Sequence, residues 1–293
     1  MMISDILSSK QGEVNMIHIV ADSSCDLPLH EQKDMQVHLV PIAIQFGSHS
    51  YQDGVDITHE EVYTKLEQAE TLPTTAAPAP ALFEKVFEEC LQKGGEVVCV
   101  TIGEAFSGTY QSAVIGAQDF APGRVHIVDS RNGSAGAALL VRQAHRMRQE
   151  GMSAGDIAAA LRSLAPKVHL YALLDTMKYL WRSGRVSRSV GLVSNMLHIR
   201  PVMRVRDGVI DAASMARGGK GGIQALKRLI AQYKPNLSGG VAFFHGNVAG
   251  RMENLIEELK PLLGDAPIFR SSFSGAVGTN TGPGIVGIAF IAQ

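Results

Sequence analysis

From Met16 onward, short apolar runs alternate with stretches of helical periodicity, which predicts an α/β protein built on a largely parallel sheet. Met16–Ala21 predicts a first strand that ends in Asp22-Ser23-Ser24, and Val37–Ile44 predicts a second. Thr58 with Glu61 forms a capping box for a helix reaching about Ala69. Between Ala81 and Lys93, Leu82, Phe83, Val86, Phe87, Cys90 and Leu91 share one helical face, and Gly94-Gly95 stops the helix. The run Val97–Ile102 predicts a buried strand, followed by a hydroxyl-rich turn that opens another helix. A strand follows at Val125–Val128, then an alanine-rich helix ending at Gly151 and a helix from Ser153 and Asp156 through Leu164.

Beyond about residue 165 the pattern changes. Val168–Leu173 and Val241–Phe244 predict strands, and Asp207-Gly208 between short apolar segments predicts a hairpin turn. Helical periodicity covers about 222–234 and 248–260, and Ile285–Ile291 predicts a final buried strand. This divides the chain into an N-terminal α/β domain at 16–162 and a C-terminal α/β domain at 163–293.

Composition narrows the function class. Net charge is -1 and aromatics are 6% of 293 residues, so neither a basic footprint nor stacking platforms point to nucleic acid. Cys25, Cys90 and Cys99 are odd in number and lack CxxC spacing, which argues for a reducing compartment and against a zinc or disulfide framework. With no signal-peptide pattern and no apolar run of membrane-spanning length, a cytoplasmic protein is expected.

The sharpest candidate for chemistry is Phe106-Ser107-Gly108-Thr109. A strand end feeding a helix N-terminus leaves backbone N–H groups unpaired, and Gly108 allows a ligand close to the backbone. Ser107 and Thr109 add hydroxyls, so the turn suits an oxygen-rich anion, although a purely structural cap has the same composition. Asp22 and Ser23 offer a supporting polar turn, or an Asx-type turn alone. Pro73-Thr74-Thr75-Ala76-Ala77-Pro78 predicts a stiff extended loop that holds Thr75, or simply a linker. Arg182-Ser183-Gly184-Arg185, the run Arg217–Gly222 with Lys220, and Gly278–Gly284 all read as turns. None has Walker A spacing, and no GxGxxG fingerprint follows a strand. A serine enzyme using Ser107, with a histidine such as His245 as base, is a competing class, but the segment is not a GxSxG elbow.

Taken in order, these segments resemble the DegV family, which includes the fatty-acid-binding subunits of bacterial fatty acid kinase. The resemblance runs from about Ile17 to Ala292. It includes Asp22-Ser23, Asp53-Gly54-Val55-Asp56-Ile57, Thr75 before Pro78, and Phe106 through Ala113. It continues through Asp129-Ser130, Leu174-Asp175-Thr176, Tyr179-Leu180, Gly184-Arg185-Val186, Arg217-Gly218 and Thr281-Gly282-Pro283-Gly284. The resemblance implies a two-domain DegV-like fold, with a parallel-sheet N-terminal domain, a mixed C-terminal domain and a lipid tunnel between them. It implies one bound long-chain fatty acid such as palmitate, stearate or oleate, no other cofactor, and no catalytic residue in this chain. Thr75, Ser107 and Gly108 match the family's carboxylate-binding positions. Asn280 stands where the family often carries histidine, Ala76-Ala77 replace a usual Ser-Gln, and Ser183 replaces a common glycine. A partner kinase is implied as the catalyst, with Arg185, Arg217 and Lys220 as candidate docking cations. A lipid-binding sensor that meets no kinase is the remaining alternative.

Overall fold

The computed structural model describes residues 16–186, 199–206 and 208–293. The first half runs through β1 (Ile17–Asp22), α1 (Leu29–Asp34), β2 (Val37–Val40), β3 (Ala43–Phe46), β4 (His49–Gln52) and α2 (His59–Gln68). It continues through β5 (Thr74–Ala76), α3 (Pro80–Leu91), β6 (Glu96–Thr101), α4 (Thr109–Gly116), β7 (Val125–Asp129), α5 (Ser134–Gln149) and α6 (Ala154–Leu164). The second half holds β8 (Val168–Leu173), α7 (Lys178–Ser183), β9 (Ile199–Arg206), β10 (Val209–Arg217) and α8 (Gly218–Tyr233). Then come β11 (Val241–His245), α9 (Ala249–Leu263), β12 (Ile268–Ser272), α10 (Gly275–Thr281) and β13 (Val286–Ile291).

Strands β2-β1-β6-β7 form a parallel sheet, the arrangement expected where apolar strands alternate with helices. Both capping sites form: Thr58 and Glu61 make the full reciprocal box on α2, and Ser153 accepts from Asp156 N on α6. The run Val37–Ile44, expected as one strand, is two strands in different sheets. Pro41 has no N–H for a ladder, and the next N–H, of Ile42, donates to Ser23 Oγ at 3.1 Å. The chain therefore leaves the parallel sheet at residue 41, and β3 pairs antiparallel with β4 and β5. The proline-flanked segment expected as a loop is in part strand β5, which puts Thr75 opposite Ile44.

The second sheet has the order β10-β9-β8-β13-β11-β12 and is antiparallel except between β11 and β12. Its two faces follow the period-2 alternation of strands. Tyr171, Leu173, Val202, Phe243, Ile288 and Phe290 pack on one side with Leu226 and Ile230 of α8 and Leu255 and Leu259 of α9. Leu170, Ala172, Met203, Val205, Ala242, Phe244 and Ala289 share the other core with Ile19, Ala21, Val98 and Val100 of the parallel sheet. Helix α5 lies in this second core, against β1 and β6 on one side and β8, β11 and β13 on the other. Alanines dominate its sequence because it is buried nearly all round between two sheets. All three cysteines are free and buried. Among the described residues, no helix is long and apolar enough to cross a membrane.

Candidate ligand-binding site

A cavity of about 470 Å³ opens between the carboxyl ends of β1 and β6 and the inner face of the six-stranded sheet. Open α/β sheets bind ligands at that end of their parallel strands. Leu170 and Ala172 of β8, Met203 and Val205 of β9, and Phe244 of β11 line it, as their alternation on one sheet face requires. Ile102, Phe106, Phe273 and Ile285 complete a mostly apolar wall. Thr75, Ser107, Gly108, Asn280 and Arg185 line it too, and hydrogen bonds run from Thr75 through Asn280 to Arg185 and on to Phe106 O, beside the Ser107 turn.

The Ser107 turn lies where β6 has ended and α4 begins. Ser107 Oγ lies 2.8 Å from Thr109 Oγ1 and accepts from Thr109 N at 3.3 Å. Either hydroxyl can donate in this pair, and when the buried Thr109 donates, Ser107 keeps its own hydrogen for a ligand. Gly108 is the N-cap of α4, and no side chain caps that helix. A Cβ there would meet only Ala77 Cβ at 3.9 Å, so the space over Gly108 is open to a ligand.

Asp22 and Ser23 hold the floor beneath this turn. Asp22 accepts from Ile102 N at 2.7 Å and from both the N–H and hydroxyl of Ser24, stitching the ends of β1 and β6 together. Ser23 donates to Asp53 at 2.8 Å, which ties the same turn to the β3–β4 region. Asp22 therefore forms the Asx-type turn and also ties the end of β6 to the end of β1.

Asn280 reaches the patch from α10, where a glycine-rich turn was expected. Its Nδ2 donates to Thr75 Oγ1 at 3.1 Å and to Ala276 O at 2.9 Å, and its Oδ1 accepts from Arg185 Nη1 at 3.4 Å. Arg185 Nε also lies 3.5 Å from Phe106 O, so the exposed guanidinium spans the polar patch. Its donors meet oxygens of Ser183, Phe106 and Asn280, and among the described residues no carboxylate pairs with it.

Two buried carboxylates anchor α10. Ser274 N donates to Asp26 at 2.7 Å and Gly275 N donates to Asp53 at 2.9 Å, while Ser274 Oγ caps Val277 N. These contacts satisfy N–H groups that the helix itself leaves unpaired. Burial pushes the Asp26 carboxyl up to about 8, partly offset by the hydroxyls of Ser134 and Ser274. Burial raises Asp22 and Asp53 as well. Gly275 permits the approach, because a Cβ there would lie within 2.9 Å of Val62, Ile44 and Asp53. Sequence reasoning missed α10 because Gly275-Ala-Val-Gly-Thr-Asn-Thr has few strong helix formers; Ser274 was its one start signal.

Other expected site residues are not brought here. His245 does not line the cavity, and its Nδ1 accepts from Val248 N at 3.2 Å, so it is not a base for Ser107. Among the described residues no histidine lines the cavity. Lys220 is exposed in the first turns of α8, because the expected glycine turn there is helix from Gly218 onward. Arg217 ends β10, and its side chain lies outside what is described.

Comparison with known proteins places this geometry in a family. The model described as "Uncharacterised protein, DegV family" matches residues 16–293. A DegV domain-containing protein of Caldanaerobacter subterraneus is 32% identical over 281 residues, covering 94% of this chain and 98% of its own. A fatty-acid-binding DegV family protein from Thermus thermophilus superposes with a TM-score of 0.84 at 28% identity, covering 94% of this chain and 99% of that one. A stearic acid-binding protein from Eubacterium ventriosum reaches a TM-score of 0.86 at 26% identity, covering 94% and 98%. Matched from β1 to its last residue, and sharing this fold with these proteins along nearly their whole length, the chain belongs to the DegV family.

Proposed function

We propose that the cavity binds one long-chain fatty acid, such as palmitate, stearate or oleate, and that the protein presents its carboxylate to a partner fatty acid kinase. The observation that carries this reading is an apolar cavity whose polar lining converges on the Thr75–Asn280 contact. Its volume of about 470 Å³ suits a single small ligand. Burying ~14 methylenes at ~0.8 kcal/mol each offers about 11 kcal/mol gross, part of which offsets chain ordering and carboxylate desolvation. The tail supplies affinity and the polar patch sets direction.

In this reading Thr75 and Ser107 donate to the carboxylate, Asn280 donates to Thr75 and so aims its hydroxyl at the ligand, and the Gly108 backbone lies close beneath it. Asp22, Ser23 and Thr109 hold those donors in place. Arg185 supplies the compensating positive charge, and it remains exposed to a partner. Arg185, Arg217 and Lys220 are the candidate docking cations for the kinase and its phosphoryl group. The tunnel lies between units spanning 16–162 and 163–293, in a bacterial cytoplasmic protein. Chemistry belongs to the partner: a carboxylate oxygen attacks the terminal phosphorus of the kinase's nucleoside triphosphate, the bridging P–O bond breaks, and the diphosphate leaves as the acyl-phosphate forms.

Organic extraction of the purified protein followed by mass spectrometry tests the first half, with one fatty acid per chain expected. Finding none, with no uptake of added palmitate or oleate, would overturn it. Mixing the loaded protein with the fatty acid kinase of the same organism tests the second. Binding without acyl-phosphate formation leaves a lipid sensor.

A further inference from the structure

The strongest unassigned cluster lies away from the cavity, where α3 crosses the edge of the parallel sheet. His18 of β1 is buried, and its Nε2 lies 3.0 Å from Gly94 O. His38 of β2 is half-buried, and the two rings meet edge-on with centroids 5.9 Å apart. Cys90, in the last turn of α3, is buried over them. One ligand atom from each of the three side chains lies within 4.8 Å of the other two.

We propose that His18, His38 and Cys90 form a binding site for a late first-row dication of the zinc class, with two imidazole nitrogens and one thiolate as ligands. The donor set of nitrogen and sulfur is the one zinc prefers, and it excludes magnesium and calcium, which take oxygen. Ligand atoms around tetrahedral zinc lie roughly 3.3–3.7 Å apart, so the three side chains close by about an ångström through small rotations. Gly94 O accepts from one ring nitrogen of His18, which fixes the tautomer and leaves the other nitrogen as the ligand. Burial favours neutral imidazole, the form that ligates a metal, at His18 and His38. Arg148 itself is held by the carbonyls of Ile17 and Met35 at 3.0 and 2.8 Å. Glu89 supplies negative charge that acts on both His38 and Cys90, and the fourth position is left to water.

Binding exchanges the Cys90 S–H bond for a sulfur–metal bond, and the proton passes to solvent. No electron is transferred. The ion ties the carboxyl end of α3 to β1 and β2, while the other end of the same helix follows the arm that carries Thr75.

The test is a cobalt(II) titration of the full, chelator-treated protein, read by absorption. One equivalent is expected to produce a sulfur-to-cobalt charge-transfer band and intense ligand-field bands, all bleached by zinc. Cys90→Ser is expected to abolish the charge-transfer band, and His38→Gln to weaken cobalt binding by about 10–100-fold. His38 is half-buried, so His38→Gln keeps the test decisive if Cys90→Ser fails to fold. Absence of the charge-transfer band in wild type overturns the site, and so does its persistence at unchanged affinity in His38→Gln. Fatty acid content is measured on the same samples, so failure of the metal site is distinguished from failure of lipid binding.

Discussion

Asn280 Nδ2 donates to Thr75 Oγ1 at 3.1 Å across 205 residues of sequence, and this bond joins the two halves of the polar patch. Both Nδ2 hydrogens are spent inside the protein, on Thr75 and on Ala276 O, so Asn280 aims the Thr75 hydroxyl and leaves its hydrogen free for a ligand. Asn280→Ala is expected to weaken palmitate binding by about 10-fold, because the Thr75 hydroxyl loses the neutral partner that aims it. Asn280→Asp, which sets a carboxylate against the ligand's own, is expected to weaken it further. Displacement of a fluorescent fatty acid measures both, and equal affinity in all three proteins would remove Asn280 from the site.

Ser107→Ala is expected to lose about 10-fold in affinity while keeping its fold, since its oxygen contacts only Thr109 in the protein. Wild type is expected to give no adduct with a fluorophosphonate probe. A stable adduct that disappears in Ser107→Ala would restore the nucleophile reading.

Ala172 lies on the cavity wall contributed by β8. Ala172→Leu shortens the space available to a tail and is expected to shift preference toward shorter acids. Each methylene excluded costs about fourfold in affinity. Competition between C14 and C18 acids on wild type and variant reads this ratio directly.

Gly275→Ala is expected to destabilise the protein by about 1–3 kcal/mol, because the new methyl meets Val62, Ile44 and Asp53 within 2.9 Å. Displaced α10 carries Asn280 with it, so palmitate affinity falls as well. Thermal unfolding with and without palmitate separates the two effects.

Asp26 holds its proton in the folded protein up to about pH 8, whereas the unfolded chain releases it near pH 4. Between those values the folded state binds more protons, so stability falls as pH rises and levels off above the folded value. Asp22 and Asp53, also raised by burial, act in the same direction. Asp26→Asn keeps an acceptor for Ser274 N and removes the buried charge. It is expected to raise Tm over wild type, and the gain at pH 8 is expected to exceed the gain at pH 5 by at least about 2–4 °C.

Strands and helices with strong periodicity or capping boxes were legible at residue level, as Thr58–Glu61 and Val168–Leu173 show. Thr75, Ser107 and Gly108 stood out because prolines, hydroxyls and glycine mark turns locally. What escaped was set by partners distant in sequence. β5 is a strand only because Ile44 pairs with Thr75, and α10 is a helix because Asp26 and Asp53 receive its first N–H groups. The division of Val37–Ile44 turned on one proline whose missing N–H no hydrophobic pattern reveals.

Helix α10 is among the last elements of the chain, yet it docks on Asp26, Asp53 and Thr75 near the beginning. During synthesis, therefore, Thr75 waits for the 205 residues that separate it from Asn280 before the polar patch can close. A chain that stops before α10 has the apolar strands of the cavity wall but leaves Thr75, Asp26 and Asp53 without the partners that α10 brings. On the proposed function, fatty acid loading therefore waits for α10.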